Sequence, residues 1–276
     1  MYLLFDIGGT KMRLAVSVDG KTLHNIQIVP TPDSFDQGIN TFKTIASQLN
    51  HPGDLQAIIG GVAGVFDSSK SFLTIAPHMA DWTSKPLKQV LSDAFNVPVY
   101  LENDAALAAL GEANFGAGMG YKIVAFLTIS TGVGGARIID GKLDVNSHGF
   151  EPGHQIITFG GNVCPGCTSL GHLEAYISGT AIEHTYHVKP DQIQDSAIWE
   201  GVARWLAVGL NNVTVFWSPN IIVLGGSTMK SIPLERVRFY LKETLNIFAS
   251  PPTVVLGKLA DQAGLYGGLA YLNQIG

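Results

Sequence analysis

Apolar residues come along this chain in short runs, and many of the runs stop at paired glycines. Tyr2 to Phe5 is an apolar run of strand length that ends at Asp6. Gly8-Gly9-Thr10-Lys11 follows, and Arg13 to Val18 carries the next run. Two strands joined by a Gly-Gly turn predict a hairpin. Ser34 to Leu49 changes period, with Phe35, Ile39, Phe42, Ile45 and Leu49 at helical spacing. Leu55 to Val62 predicts a strand ending in Gly60-Gly61, with Ala63-Gly64-Val65 as a turn. Pro86 to Phe95 predicts a helix with proline near its first turn. Val97 to Leu101 is the next strand, and Glu102-Asn103-Asp104 leads from it into a helix of small residues, Ala105 to Glu112.

The second half repeats the design. Ile123 to Ile129 is a strand, Ser130-Thr131-Gly132-Val133-Gly134-Gly135 a Gly-rich tip, and Ala136 to Ile139 the returning strand before Asp140-Gly141. Ala175 to Tyr186 and Ala197 to Trp217 predict helices, the second long and apolar. Ile221 to Leu224 predicts a strand ending in Gly225-Gly226-Ser227. Leu234 to Phe248 is an amphipathic helix, Val254 to Leu259 the last strand, and Ala263 starts a terminal helix rich in small residues. Two hairpins built alike, each with threonine beside a glycine pair, predict an internal duplication with a cleft between the halves.

Composition narrows the function classes. Of 276 residues 46% are apolar, enough for a sizeable core, and only 14% are charged, with net charge -5. No basic run is present, which argues against nucleic acid as a partner. The N-terminal run is too short for a signal peptide and lacks a basic start. The longest apolar runs fall far below the roughly 20 residues that span a bilayer, so no membrane role is expected. The 32 glycines cluster in short pairs after apolar runs, as in tight turns that approach phosphate, and not as in a linker.

Three stretches carry candidate chemistry. Asp6, Thr10 and Lys11 put an acid, a hydroxyl and a cation beside flexible backbone amides, a setting that suits phosphate and its magnesium ion; a plain hairpin is the competing reading. No G-x4-G-K-[ST] occurs, and Gly132 to Arg137 does not complete G-x-G-x-x-G, so both common nucleotide fingerprints are absent. Asp104 stands between a strand end and a helix start, where open α/β sheets bind ligands; the competing reading is a helix N-cap.

Third, both cysteines and two of the eight histidines lie within 19 positions: His154, Cys164, Cys167 and His172. Thiolate and imidazole in fours suit tetrahedral zinc, and a closed shell would make it structural. A redox Cys-x-x-Cys or two unrelated thiols remain open. Two such cysteines without a leader point to a reducing cytoplasm. The metal would fix Glu151 and Glu174, tethered close by. The glycine turns are remote from this loop in sequence and are expected to need no zinc.

Taken in order, Asp6-Ile7-Gly8-Gly9-Thr10-Lys11, Glu102-Asn103-Asp104-Ala105, Thr131-Gly132-Val133-Gly134-Gly135, Glu151-Pro152-Gly153-His154, the Cys/His loop ending in Glu174, and Val223-Leu224-Gly225-Gly226 resemble the ROK family of sugar kinases over nearly the full length. The resemblance implies an α/β, actin-like, hexokinase-type fold of two domains with ribonuclease H-like sheets around a cleft. Residues 1–112, completed by a C-terminal helix over about 262–276, would form one domain and 113–261 the other.

It implies ATP, Mg²⁺ and structural Zn²⁺, a homodimer, and phosphorylation of a hexose, most simply glucose to glucose 6-phosphate. Fructose, N-acetylmannosamine and N-acetylglucosamine are the alternative acceptors. By position, Asp104 resembles the catalytic base. Gly64, His78, Asn103, Asp104, Glu151, His154 and Glu174 resemble sugar contacts. Asp6, Gly8, Gly9, Thr10, Lys11, Thr131, Gly132, Gly225 and Gly226 resemble ATP contacts.

Three departures stand out. The family's zinc loop has three cysteines, two of them as C-x-C. Here the spacing is C-x2-C and His172 takes the place of the last cysteine. His78 stands where the family usually has asparagine, and Ser130 where glycine is common. The family also contains repressors with a helix-turn-helix ahead of the kinase-like part; with a strand from Tyr2 and an acidic chain, that reading is disfavoured, as is a non-catalytic sugar sensor, given Asp6 and Asp104.

Overall fold

In the computed structural model, which describes residues 1–49 and 54–275, the first two strands form the predicted hairpin. β1 (Tyr2–Ile7) and β2 (Lys11–Ser17) pair antiparallel, with Asp6 opposite Arg13. β3 (His24–Pro30) pairs antiparallel with β2 across a register shift between Leu14 and Val16. The pattern had given no strand there. β3 is an edge strand, largely exposed, with polar side chains and a terminal proline, and such a strand carries little apolar signal.

α1 (Phe35–Gln48) buries Phe35, Ile39, Phe42 and Ile45, the stripe its spacing predicts. β4 (Ala57–Val62) follows, then a small hairpin of β5 (Val65–Phe66) and β6 (Leu73–Ile75), α2 (Leu87–Phe95), β7 (Val99–Asn103) and α3 (Asp104–Phe115). The main sheet runs β3-β2-β1-β4-β7, with β1, β4 and β7 parallel.

The second sheet is built the same way. β8 (Ile123–Ile129), β9 (Val133–Ile139) and β10 (Lys142–Leu143) form an antiparallel meander. After α4 (Glu174–Ile177), α5 (Gly179–Tyr186) and α6 (Ser196–Trp217) come β11 (Ile221–Gly225), α7 (Leu234–Thr244), β12 (Thr253–Leu256) and α8 (Ala263–Ile275). The order β10-β9-β8-β11-β12 repeats that of the first sheet, with β8, β11 and β12 parallel. The duplication read from the hairpins is thus a duplication of whole sheets, in the ribonuclease H-like order.

Two elements end differently from their apolar pattern. The helix expected over Ala175 to Tyr186 is interrupted at Ser178, whose backbone turns extended and whose hydroxyl accepts from the Ala181 N–H to cap α5. The helix begun at Leu234 stops at Thr244, where Asn246 and the following Ser-Pro-Pro leave no helical continuation.

The chain divides into two units. One comprises Met1–Phe115, Val145–Gly149 and Asp261–Gly276, of which residue 276 lies outside the described residues; the other comprises Gly116–Asp144 and Phe150–Ala260. In the first unit both sheet faces are covered. Leu3, Phe5 and Ile7 pack with α1 and α2 residues on one side, while Leu4, Ala57 and Ile59 pack with Leu265 and Leu269 of α8 on the other. That is why the first strand reads as continuously apolar. In the second unit α6 and α7 pack on one sheet face around Leu127, Leu206, Leu210 and Leu224. Among the described residues no helix is long and apolar enough to cross a membrane.

α3 and α8 meet backbone to backbone. A methyl group on Gly267 would lie 1.8 Å from the Leu107 carbonyl oxygen, and one on Gly111 would lie 2.2 Å from that of Ala263. Neither neighbour can rotate away. Gly267→Ala is therefore expected to destabilise the protein by about 1–3 kcal/mol despite the better helix propensity of alanine. Gly201→Ala, on α6 with nothing within 4 Å of the added carbon, should instead gain up to about 1 kcal/mol. Denaturant unfolding of the two variants checks the contrast; equal stabilities would show that the α3–α8 approach is not tight.

Candidate active site and metal centre

The parallel strands of the first unit end in register, Ile7 beside Val62 and Val62 beside Asn103. Their carboxyl ends therefore deliver three loops to one edge, the place where open α/β sheets take ligands. β7 runs into α3 with no connecting residue. Asn103 makes the junction: its Oδ1 accepts from the Ala106 N–H at 3.0 Å, and its Nδ2 donates to the Gly64 carbonyl at 3.1 Å. The capping position that competed for Asp104 is thus filled by Asn103. Asp104 Oδ1 accepts from its neighbour Ala105 at 2.8 Å. Gly61 permits this closeness, because a methyl there would stand 3.0 Å from the Asp104 Cα. Burial raises the Asp104 carboxyl above its usual range, with the Ala105 N–H pulling the other way.

Asp6, at the end of β1, bonds Arg13 Nη1 at 3.0 Å, and Arg13 Nη2 lies 3.7 Å from Asp261. Burial, reinforced by the negative charge of Asp104 and only partly offset by Arg13, pushes the Asp6 carboxyl up to about 7. α8 begins beside it, since a methyl on Gly264 would lie 3.0 Å from the Asp6 Cγ. Asp6 and Asp104 are half-buried with one guanidinium, bonded to Asp6, beside them; they are short of positive charge, and oxygen donors in that state suit a hard divalent cation such as Mg²⁺. The Gly8-Gly9 turn adjoins them, closed by Gly8 N–H to Lys11 oxygen at 2.9 Å and tied by the Thr31 hydroxyl to the Gly8 oxygen at 2.7 Å. Thr10 and Lys11 are exposed on it. Gly9 abuts His78, where a methyl would come to 2.6 Å of Cβ, and Gly64 abuts the Ile75 carbonyl at 2.5 Å. Asp6, Gly8, Gly9, Gly64, His78, Asn103 and Asp104 thus share the sheet edge.

The second unit repeats the arrangement at its own strand ends. The Ser130 carbonyl accepts from the Gly179 N–H at 2.7 Å and from the Thr228 hydroxyl at 3.1 Å, and the Thr131 carbonyl accepts from the Thr180 N–H at 3.2 Å. Gly226, at φ +96°, lies against the Ile129 carbonyl, which a methyl would meet at 2.2 Å. Thr131, Gly132, Gly225 and Gly226 therefore group around the ends of β8 and β11.

The structure brings His154, Cys164, Cys167 and His172 together, their ligand atoms all within 4.8 Å of one another. His154 Nδ1 is 3.3 Å from His172 Nδ1 and 3.6 Å from Cys164 Sγ, and Cys167 Sγ is 3.2 Å from His172 Nδ1. Tetrahedral zinc with bonds of about 2.0–2.3 Å sets its ligand atoms roughly 3.3–3.8 Å apart, so this donor set fits one closed shell. The histidine at 172 completes it from the same strand-like bridge that pairs it with Ile156. Cys164 is fully buried; burial, and then the charge of Glu174, push its thiol up to about 12, whereas burial followed by His154 lowers His172. A metal would offset the first shift by holding the thiolate.

Glu151 Oε2 lies 4.0 Å from His154 Nε2 and is exposed, while Glu174 is buried. Glu174 Oε2 accepts from the Val133 N–H at 2.8 Å, and Cys164 Sγ lies 3.4 Å from Oε1. The glycine turn expected to be independent of the Cys/His loop is therefore bonded to a residue of that loop. Chain distance had hidden the contact.

Arg13 and the Lys70–Glu102 ion pair were not singled out by the sequence. Glu102 is buried, and its Oε1 accepts from the Asn103 N–H at 3.0 Å. Arg13 could have been found from its place opposite Asp6 in the hairpin register; Lys70 has no local signal.

The ROK family model matches residues 2–275. A glucokinase of Streptomyces coelicolor is 28% identical over 95% of this chain and 94% of its own. An N-acetyl-D-glucosamine kinase of Escherichia fergusonii is 31% identical over 97% of each. The crystal structure of a ROK family glucokinase from Streptomyces griseus, in complex with glucose and AMPPNP, superposes with a TM-score of 0.83 at 28% identity, covering 100% of this chain and 99% of that one.

The shifted Asp6 carboxyl has a measurable consequence. In the unfolded chain an aspartate loses its proton near pH 4; here it holds it to about 7. Between those values the native state binds the extra proton, so this group's contribution falls as pH rises. Relative to Asp6→Asn, the metal-free wild type should lose stability between pH 4 and 8, by no more than about 4 kcal/mol. Urea unfolding of both proteins across that range gives the difference. A flat difference would place the Asp6 carboxyl at its ordinary value.

Proposed function

The chain belongs to the ROK family, and from that premise we propose that it transfers the γ-phosphoryl group of ATP to a hexose hydroxyl, most simply converting glucose to glucose 6-phosphate. The observation that carries the reading is the pair Asp6 and Asp104, two half-buried carboxylates at the ends of β1 and β7, with β4 between them, that differ in what they hold. Asp104 is the general base. Burial makes its carboxylate a better proton acceptor, which is what a hydroxyl needs as it attacks phosphorus. Asn103, locked by Gly64 and Ala106, orients the sugar beside it. Gly64, His78, Glu151, His154 and Glu174 supply further sugar contacts, since each hydroxyl both donates and accepts.

The backbone of Gly8, Gly9, Thr131, Gly132, Gly225 and Gly226, with Thr10 and Lys11, binds ATP. Magnesium, arriving with the nucleotide, would be held by Asp6 and would neutralise charge on the phosphates. Zinc, held by His154, Cys164, Cys167 and His172, would supply order to the loop that carries Glu151 and Glu174. Thiolates persist in a reducing cytoplasm, which suits this chain's chemistry. A second acceptor, N-acetylglucosamine, is favoured by the 31% identity to the Escherichia fergusonii kinase and by His78, which can donate to an acyl oxygen. An assay of ADP release over glucose, fructose, N-acetylmannosamine and N-acetylglucosamine distinguishes these. Sugar binding without any turnover would instead support a non-catalytic sensor.

Two outcomes follow. Asp104→Asn should lower kcat by roughly 10²–10⁴-fold, because the amide accepts no proton, while the sugar Kd from calorimetry changes little. Near-normal turnover would remove Asp104 from the chemistry. Protein purified without chelator should carry one zinc per chain by elemental analysis, and Cys167→Ser should lose most of it; a zinc-free wild type would count against the centre.

A further inference from the structure

Glu174 sits in a gap that two glycines make for it. A methyl on Gly132 would meet its Oε2 at 2.9 Å, and a methyl on Gly166 would meet its Oε1 at 2.6 Å. Gly132 belongs to the turn between β8 and β9, and Gly166 lies between the two cysteines. One carboxylate therefore spans from the Cys164 thiol to the Val133 N–H. The seam continues beside it. Gly153 lies against Val133, with its carbonyl 2.2 Å from where a methyl would be, and Gly135 lies against Pro152 at 2.9 Å. So the segment leading into His154 packs along the start of β9, by backbone at Gly153 and through the stiff proline ring at Gly135.

From this geometry we infer that Glu174 is a strut coupling the Cys/His centre to the nucleotide-binding turn, so that the metal sets nucleotide affinity as well as the order of its own loop. The inference rests on the ATP reading for Thr131 and Gly132. The physical reason is directional. Val133 N–H follows the turn immediately, and fixing it at 2.8 Å to a buried carboxylate fixes the peptide that orients Gly132. The other oxygen packs against the turn between the two cysteines, where a methyl on Gly166 would meet Oε1 at 2.6 Å, and zinc would pin that turn at both ends through Cys164 and Cys167. Release of the metal frees the turn between Cys164 and Cys167, Glu174 loses the wall at Gly166, and the nucleotide turn loses one of its supports. The others, the Gly179 and Thr180 N–H groups and the Thr228 hydroxyl on the Ser130 and Thr131 carbonyls, remain. The expected effect is therefore a weakening and not an abolition.

The test measures AMPPNP–magnesium binding by calorimetry and amide hydrogen exchange at Val133, in zinc-loaded protein, in protein stripped by chelator, and in Glu174→Ala and Glu174→Gln, each checked for folding by circular dichroism. Stripping and Glu174→Ala should each raise the AMPPNP Kd about tenfold and speed Val133 exchange, as expected for loss of a buried charge-assisted hydrogen bond. Stripping Glu174→Ala should add little further, since both changes act through one bond. Glu174→Gln, which keeps an acceptor, should retain Val133 protection. If Glu174→Ala does not fold, the stripped wild type and Glu174→Gln decide. An unchanged Kd and unchanged Val133 exchange in folded, stripped protein would overturn the strut. Zinc-loaded wild type that binds no AMPPNP would refute the ATP reading instead, with Val133 exchange still reporting on the strut.

Discussion

Drawing two carboxylates partly out of water, with one guanidinium bonded to only the first, is the constraint on which this site depends. Asp6 and Asp104 arrive there because β1, β4 and β7 are parallel and end in register. Their burial raises both, and Arg13 offsets only part of the cost. A fold does not accumulate such charge for stability, since buried like charges oppose folding. In the proposed reading this charge serves to handle a cation and a proton. Glycine makes the arrangement geometrically possible: Gly61 lets α3 start against β4, and Gly264 lets α8 start against Asp6.

The duplicated sheets give each unit the same kind of edge but different chemistry. The first carries carboxylates at its strand ends. The second carries a glycine turn braced by hydrogen bonds donated by Gly179, Thr180 and Thr228 and by one that Glu174 accepts. The metal-ligating loop is packed onto that turn through Gly153, Gly135 and Glu174. A loop rich in glycine and proline lacks the apolar side chains to order itself, so the backbone seam, with a metal that its four donors could hold, would take the place of a core.

Much of this was legible in the sequence. Runs of apolar residues marked the buried strands, because a sheet covered on both faces needs no alternation. The position of Asp104 between Leu101 and the small-residue helix marked the carboxyl edge of the sheet, and the four ligand-type residues within 19 positions marked the Cys/His cluster. What stayed hidden was long-range or unburied. β3 and the β5–β6 hairpin bury little, so they leave no pattern. Ser178 breaks a helix by a capping bond that the surrounding apolar residues mask. The Glu174–Val133 bond joins residues 41 apart, and no local rule reports it.

Family membership and the half-buried acidic pair both favour the proposed phosphoryl transfer to a sugar, and the bond formed can be observed directly. Phosphorus-31 NMR of glucose and ATP incubated with the protein and magnesium should show the γ-phosphate resonance replaced by a sugar phosphomonoester, with proton coupling from the carbon-6 methylene. Free inorganic phosphate as the only product, or ATP left intact with glucose and with the other three hexoses, would contradict the account.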